Sequence, residues 1–198
     1  MTLFLVEAEL TAAGAERAAA VLESVAAHIG ESGGAIVEAQ IPASRARIFV
    51  IFEADDCAAL VLEASDDLGV QQFSDPVPVR LIGATVDEIR QRGAEAGYLV
   101  EWDIPEEITM EQYLAAKQAK TPLYDQVDDV QFLRTYVRED TQKCLCFYDA
   151  ASADAVRRAR EVVSTPISRL HELAPASIVA RRAYGAAYRA PQPVMRGM

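Results

Sequence analysis

The residues with the most chemical potential lie at alternate positions of two short segments in the second half of the chain. Arg134 and Tyr136 occupy the first segment, and Cys144, Cys146 and Tyr148 occupy the next. A guanidinium group can hold a carboxylate through two parallel hydrogen bonds, and a phenol can position or protonate an oxygen. The cysteines should point the same way on a strand, but a thiolate metal site such as zinc needs more ligands than this pair. The pattern therefore predicts a binding site for a polar or anionic small molecule.

Acidic residues and one histidine complete the candidate set. Glu101 should share a strand face with Arg134, and Glu7 and Glu38 stand at corresponding places in the first half of the chain. His171, beside Glu172, is the candidate metal ligand or proton carrier. Each member also has a structural interpretation, because carboxylate–guanidinium pairs often serve only the fold and free cysteines often pack as small apolar side chains.

A repeat indicates how these side chains are positioned. The tetrapeptide 4–7, Phe-Leu-Val-Glu, returns at 98–101 as Tyr-Leu-Val-Glu, and residues 36–56 align without gaps on residues 132–152. Each copy ends with a Ser-x-Pro sequence and an apolar strand. The alternation of strand-like and helix-like stretches predicts a βαββαβ unit for each copy.

The predicted fold class is α+β: two tandem ferredoxin-like (βαββαβ) subdomains packed sheet-to-sheet as a pseudo-dimeric α/β barrel. The domain prediction is copy 1 at 1–84, a helical linker at 85–96, copy 2 at 97–174, and a basic C-terminal tail at 175–198. In the first copy we predict strands over 3–10, 36–41, 47–52 and 77–82, with helices over 12–28 and from 54 to about 69. In the second we predict strands over 132–137, 143–148 and 167–173, a helix opened by Thr109 that kinks or ends at Pro122, and a helix over 152–163.

Strand alternation assigns side chains to faces. In the second copy the apolar face with Leu133, Val137, Leu145 and Phe147 is predicted to meet the helices. The opposite face should then point into a groove between the two sheets, the expected ligand site. The predicted ligand-binding residues are Glu101, Arg134, Tyr136, Cys144, Cys146 and Tyr148 from the second copy and Glu7 and Glu38 from the first, facing an otherwise aliphatic wall with Ile48 and Val50.

Composition limits the classes of partner. The net charge of −11 argues against a nucleic-acid surface, which relies on clustered Lys and Arg. No apolar run approaches the length of a membrane span and the N-terminus lacks a signal-peptide pattern, so neither a membrane partner nor secretion is expected. Three cysteines without a disulfide pattern fit a reduced cytoplasm. The four arginines after Glu172 either dock on the acidic body, stay loose, or bind a partner.

The run 135–150, Thr-Tyr-Val-Arg-Glu-Asp-Thr-Gln-Lys-Cys-Leu-Cys-Phe-Tyr-Asp-Ala, resembles a family of small bacterial ferredoxin-like proteins, sometimes called nickel-binding-protein-like. The shared features are the Phe/Tyr-Leu-Val-Glu strand, a Tyr-Val-x-x-Asp turn, a cysteine, a Tyr-x-Ala end and an Ala-Val-Arg helix, here 155–157. The resemblance covers about 75 residues of the second copy, whereas the first copy matches only in outline.

The resemblance implies a dimeric α/β barrel, here fused into one chain, and a possible nickel-binding role. Histidines associated with the family are replaced at Arg134 and in 157–160, so no cofactor is firmly expected. We expect a binding or accessory protein for a small organic or metal-associated ligand. The alternative is a cofactor-independent isomerase, cyclase or oxygenase using the same groove. The chain is expected to be a monomeric pseudo-dimer or to form a further homodimer.

Overall fold

The computed structural model describes residues 1–92 and 96–175. The first copy consists of β1 (Thr2–Leu10), α1 (Ala15–Glu31), β2 (Ala35–Gln40), β3 (Arg47–Ala54), β4 (Val70–Phe73) and β5 (Val77–Ile82). A linking helix, α2 (Val86–Arg92), follows. At its start, the Thr85 and Glu88 side chains accept hydrogen bonds from each other's backbone N–H groups and form a capping box.

The second copy has the complete predicted element order. It consists of β6 (Tyr98–Asp103), α3 (Met110–Lys120), a 3-10 helix (Thr121–Gln126), β7 (Val130–Arg138), β8 (Lys143–Ala150), α4 (Ala153–Val162) and β9 (Arg169–Glu172). The Thr109–Gln112 capping box starts α3. The change to a 3-10 helix at Pro122 agrees with the predicted end or kink.

The helix predicted from 54 to about 69 in the first copy is wrong. This segment forms turns and a loop, in which the Asp56 carboxylate accepts a hydrogen bond from the Ala58 N–H at 2.9 Å. Such a local bond competes with helix formation. Leu60 and Leu62 pack on the core while Val61 is exposed, an alternation of period two that a helix would not give. The segment ends in β4, which was not predicted.

All strands belong to one antiparallel sheet rather than two separate ones. Its order is β2-β3-β1-β5-β7-β8-β6-β9, with β4 paired to β1. The expectation of separate sheets fails because the edge strands β5 and β7 pair with each other and satisfy the backbone groups that an edge would expose. The two ends of the sheet also contact, through a bridge between Pro42 and Leu173 and a 2.8 Å bond from Ala174 N–H to the Ile41 carbonyl.

Three apolar clusters fill the spaces on the two sides of this sheet. One lies between α1 and the strands of the first copy, and a second lies between α3, α4 and the strands of the second copy. The third joins both copies on the opposite side of the sheet, where Leu5, Phe49 and Ile51 meet Leu145 and Phe147. We call this third region the shared interior. Ile89 of α2 packs into it, so this side is covered by both strands and the linking helix.

No helix in the described ranges is long and apolar enough to cross a membrane. The predicted basic tail from 176 onward lies outside the described residues.

Candidate functional site

The structure divides the predicted site residues between the two faces of the sheet. Arg134, Tyr136, Glu101, Glu7 and Glu38 point toward the shared interior, as expected, and contact groups of the other copy there.

The predicted positions of Cys144, Cys146 and Tyr148 are wrong, because these side chains lie under the helices. Leu145 and Phe147 take the interior positions instead. Both faces of β8 are buried, so apolar character could not tell them apart. A bulge between Phe132 and Arg134 also breaks the alternation on which the assignment rested. The same reversal places Ile48 and Val50 on the helix side of the first copy.

Arg134 is bound to Glu38 of the first copy rather than to Glu101. Arg134 Nε and Nη2 donate to the two Glu38 oxygens at 2.8 and 2.5 Å, and the Tyr136 hydroxyl donates to Glu38 at 2.8 Å. Gln40 adds a fourth bond to this carboxylate. Burial and the charge of Glu38 raise the pKa of Tyr136, so its hydroxyl stays protonated. Glu38 is therefore the centre of a saturated network that joins the two copies.

Glu101 is the centre of a second network, in which it is fully buried. His171 Nε2 lies 2.7 Å and Arg169 Nε 2.9 Å from one carboxylate oxygen, and Lys143 lies 3.1 Å from the other. Arg47 of the first copy reaches Glu101 at 3.1 Å. Burial alone would raise the pKa of Glu101, but the bonds from His171 and Arg169 and the charge of Lys143 hold it well below its usual range.

Lys143 also donates a hydrogen bond to Glu7 at 2.8 Å. The predicted site residues of the shared interior are therefore engaged in ion pairs and hydrogen bonds within the protein. Glu101 and Arg134 belong to separate networks and do not converge on a common space.

A cavity of about 590 Å³ lies on the other face, between the second-copy sheet and its helices. We call it the helix-side cavity. Its floor is formed by Cys144 and Cys146 of β8, and its sides come from α3, the 3-10 helix, α4 and the segment 163–166. Most of the wall is apolar or aromatic and includes Trp102, Ile108, Ala116, Tyr124 and Val163. A cavity of this size and lining is typical of small-molecule sites.

Two cations face the floor of this cavity without an acidic partner in the described part of the chain. Arg160 of α4 is 2 % exposed; its Nη1 lies 3.3 Å from the Tyr148 hydroxyl and 3.6 Å from Cys146 Sγ. Its Nε has no hydrogen-bond partner among the described residues. Lys117 of α3 lies 4.0 Å from the same sulfur and 3.9 Å from the Phe132 ring centroid. Glu107 supplies the carboxylate of the lining, but its side chain is exposed.

The two cysteines have different environments although both are buried. Their sulfurs are 3.7 Å apart, and Thr135 donates to Cys146 at 3.2 Å. The hydrogen bond from Cys144, together with the charges of Lys117 and Arg160, lowers the pKa of Cys146 well below its usual value despite burial. The same pairing and burial raise the pKa of Cys144. The floor therefore presents two sulfurs in contact, and the surroundings of Cys146 favour its thiolate form over that of Cys144.

Tyrosines surround this pair. Tyr124 and Tyr148 share a 2.8 Å hydrogen bond, and burial raises the pKa of both. Tyr113 also lines the cavity, and its buried hydroxyl interacts with Cys144, which together with burial raises the pKa of Tyr113.

Sequence reasoning did not identify Arg160, Lys117 and Tyr113 as site residues. Arg160 could have been found, because the pattern of α4 places it on the same face as Ala155, Val156 and Ala159, which are buried, and an arginine on a buried helix face requires a partner. Lys117 and Tyr113 carry no comparable signal, because α3 has weak apolar periodicity with Tyr113 as its buried residue.

The described residues do not fit a nickel ion. Within 1–92 and 96–175, no three His, Cys, Asp or Glu side chains are grouped so that they could hold a metal. Nε2 of His171, the predicted metal ligand, is engaged by Glu101.

Comparison with known proteins gives a family match for the second copy. Residues 98–173 match the family model described as nickel responsive protein SCO4226-like. The family resemblance is thereby confirmed for the second copy. The match covers less than half of the chain, and the matched range includes Cys144, Cys146 and Arg160. No curated protein sequence matches the chain.

Comparison with solved structures gives similarities in fold. The crystal structure of SCO4226 from Streptomyces coelicolor A3(2) is 23% identical and covers 39% of this chain and 94% of its own, with a TM-score of 0.34. A putative monooxygenase from Lactobacillus acidophilus NCFM is 10% identical over 88% of this chain and 94% of its own, with a TM-score of 0.45. The putative chlorite dismutase TA0507 is 12% identical over 93% of this chain and 99% of its own, with a TM-score of 0.52. This last likeness concerns the fold alone.

Proposed function

We propose that the protein binds a small, mostly apolar organic anion in the helix-side cavity. The observation that carries the proposal is the pair of cations, Arg160 and Lys117, that face an apolar cavity of about 590 Å³ without a carboxylate partner in the described residues. A buried cation is costly unless a charge or a hydrogen-bonding group compensates it. Arg160 donates hydrogen bonds to the Tyr148 hydroxyl and the Pro166 carbonyl, but no carboxylate of the described residues neutralises its charge, and a bound carboxylate would do so.

The polar and the apolar groups of the cavity wall would contact opposite ends of such a ligand. Arg160 Nε offers a donor without a hydrogen-bond partner among the described residues, and a charge-assisted bond to the Arg160 guanidinium would fix the anionic end. The apolar body would lie against Trp102 and Ile108. Ligand contact by Cys144, Cys146 and Tyr148 is part of this proposal. Ligand contact by Glu7, Glu38, Glu101, Arg134 and Tyr136 stays a prediction for the shared interior.

The order of the strands also bears on how the two copies are arranged. We infer that they form the fused halves of a pseudo-dimeric α/β barrel with tandem ferredoxin-like order. The strand orders β2-β3-β1-β5 and β7-β8-β6-β9 support this inference, as does the contact between the two ends of the sheet. The Glu38–Arg134 pair and the Glu101 network cross between the copies and would hold the barrel together.

The proposal is tested by calorimetry with 6-bromo-2-naphthoate, an apolar bicyclic carboxylate, and with the matching neutral amide. Arg160→Gln removes a charge-assisted contact worth about 1.5–3 kcal/mol and should weaken carboxylate binding about ten- to a hundredfold. The amide should bind more weakly than the carboxylate to the unmodified protein and respond less to the substitution.

Arg158→Gln is the matched control, because it makes the same charge change on the same helix. Arg158 is exposed and pairs with Asp129 at the surface. Equal loss of carboxylate binding in both variants, or no carboxylate binding by the unmodified protein, would refute the proposed site. Thermal unfolding of each variant is measured beside binding.

A cofactor-independent enzyme is the second candidate, favoured by the thiolate character of Cys146 beside Arg160 and Lys117. A thiolate at the floor of an apolar cavity is a potential nucleophile. The two functions are distinguished by incubating the protein with carbonyl-containing organic anions and analysing the recovered compounds by mass spectrometry. Recovery of every compound unchanged supports binding alone. A product that is formed by the unmodified protein but not by Cys146→Ser supports catalysis.

A further inference from the structure

The two cysteines of β8 are placed as a chelating pair. Their side chains leave the strand on the same face, both are buried, and their sulfurs are 3.7 Å apart. Metal–thiolate bonds are about 2.3 Å long, so an ion shared by sulfurs at this separation would have an S–ion–S angle of about 107°, calculated from the 3.7 Å distance. Little movement of the strand is needed. The bent angle also leaves a coordination position open toward the cavity.

The surrounding groups restrict which ion suits the pair. Zinc-like divalent ions usually take four protein ligands in structural sites and three in catalytic ones, and no such set exists within the described ranges. Thiolates without imidazole or carboxylate neighbours favour soft ions such as Cu(I). The Tyr113 hydroxyl, which interacts with Cys144, and a small molecule in the cavity would supply further donors.

Charge also favours a monovalent ion. A complex of two thiolates with a monovalent ion carries one negative charge, which complements Arg160 at 3.6 Å and Lys117 at 4.0 Å from Cys146 Sγ. The same complex with a divalent ion is neutral and gains nothing from these cations.

We propose that Cys144 and Cys146 form a two-thiolate site for a soft monovalent cation, Cu(I), at the floor of the helix-side cavity. Binding is redox-neutral: the ion forms two Cu–S bonds, and any proton remaining on the thiol pair is released to solvent. The ion would lie in the same cavity as the organic anion of the proposed function, but its two protein ligands do not depend on that anion. Because the assay contains no such anion, its failure leaves that function untouched.

The test uses the full-length, reduced protein under anaerobic conditions and Cu(I) supplied as its coloured complex with neocuproine, a neutral chelator without a carboxylate. The unmodified protein should remove one equivalent of Cu(I) from the chelator. Cys144→Ser and Cys146→Ser should each weaken the apparent affinity at least about a hundredfold. Cys57→Ser is the matched control, because Cys57 lies in the first copy away from the cavity, and it should bind Cu(I) as the unmodified protein does.

X-ray absorption of the unmodified Cu(I)-loaded protein provides a readout that does not depend on how the variants fold. It should show two sulfur neighbours at about 2.3 Å. The proposal would be overturned if the protein failed to remove Cu(I) from the chelator or if the first shell contained only nitrogen and oxygen. Full retention of Cu(I) by the variant with both Cys144→Ser and Cys146→Ser would also overturn it. Nickel(II) added in tenfold excess should not displace the Cu(I), and displacement would also overturn it.

Discussion

The ion pair between Glu38 and Arg134 offers the sharpest test of how the two copies are held together. The side chains are 1 % and 5 % exposed and make two parallel bonds across the shared interior. Glu38→Gln would leave the Arg134 charge buried without its counterion. Breaking a buried pair from one side costs about 3–5 kcal/mol. For a chain of this size each kcal/mol lowers Tm by about 2–4 °C, so we expect Tm to fall by about 6–20 °C.

Two further variants separate charge from packing in the same thermal unfolding assay. Glu38→Leu combined with Arg134→Met replaces the pair by apolar side chains and should recover most of the loss, because a buried pair is often no more stable than well-packed apolar residues. Glu139→Gln removes the exposed pair with Arg80 and should cost less than about 1 kcal/mol. If Glu38→Gln is no more destabilising than Glu139→Gln, the pair does not join the copies as we argue.

Two other predictions follow from the geometry. Because the pKa of Glu101 is depressed in the folded protein, its contribution to stability is present above its ordinary value near 4.5 and is lost as pH falls further. Glu101→Gln should therefore lower the urea midpoint more at pH 7 than at pH 3, whereas Glu9→Gln, on the exposed side of Arg47, should change it little at either pH. A pH-independent difference would contradict the assignment. Gly83→Ala should destabilise the fold by about 1–2 kcal/mol, because Gly83 has φ +90° and an added Cβ would lie 3.0 Å from the Phe132 ring. The control Gly30→Ala meets no atom within 4 Å and should be neutral or stabilising. Equal Tm values for the two variants would contradict this prediction.

The sequence predicted the second copy well because its local signals agree. The Thr109 capping box, the Pro122 break and the strands around the 138–142 turn all fall where the pattern placed them. The first copy is less regular: apolar residues between 57 and 68 resemble a helix in composition, and the Asp56 turn directs the chain otherwise.

The location of the cavity could not be predicted from alternation. Alternation separates the residues of β8 into two groups but does not say which group meets the helices when both groups are buried. Cys144 and Cys146 were grouped correctly with each other and assigned to the wrong side. The partner of Arg134 was missed because Glu38 is 96 residues away in the sequence, and only the joining of β5 to β7 brings the two copies into register.

A crystal structure with 6-bromo-2-naphthoate, phased on the anomalous signal of bromine, tests the central claim most directly. We predict one bromine inside the helix-side cavity, with the carboxylate within hydrogen-bond distance of Arg160 and the ring against Trp102. Bromine in the shared interior near Arg134, or only on the surface while the helix-side cavity holds no probe, would contradict the proposed function.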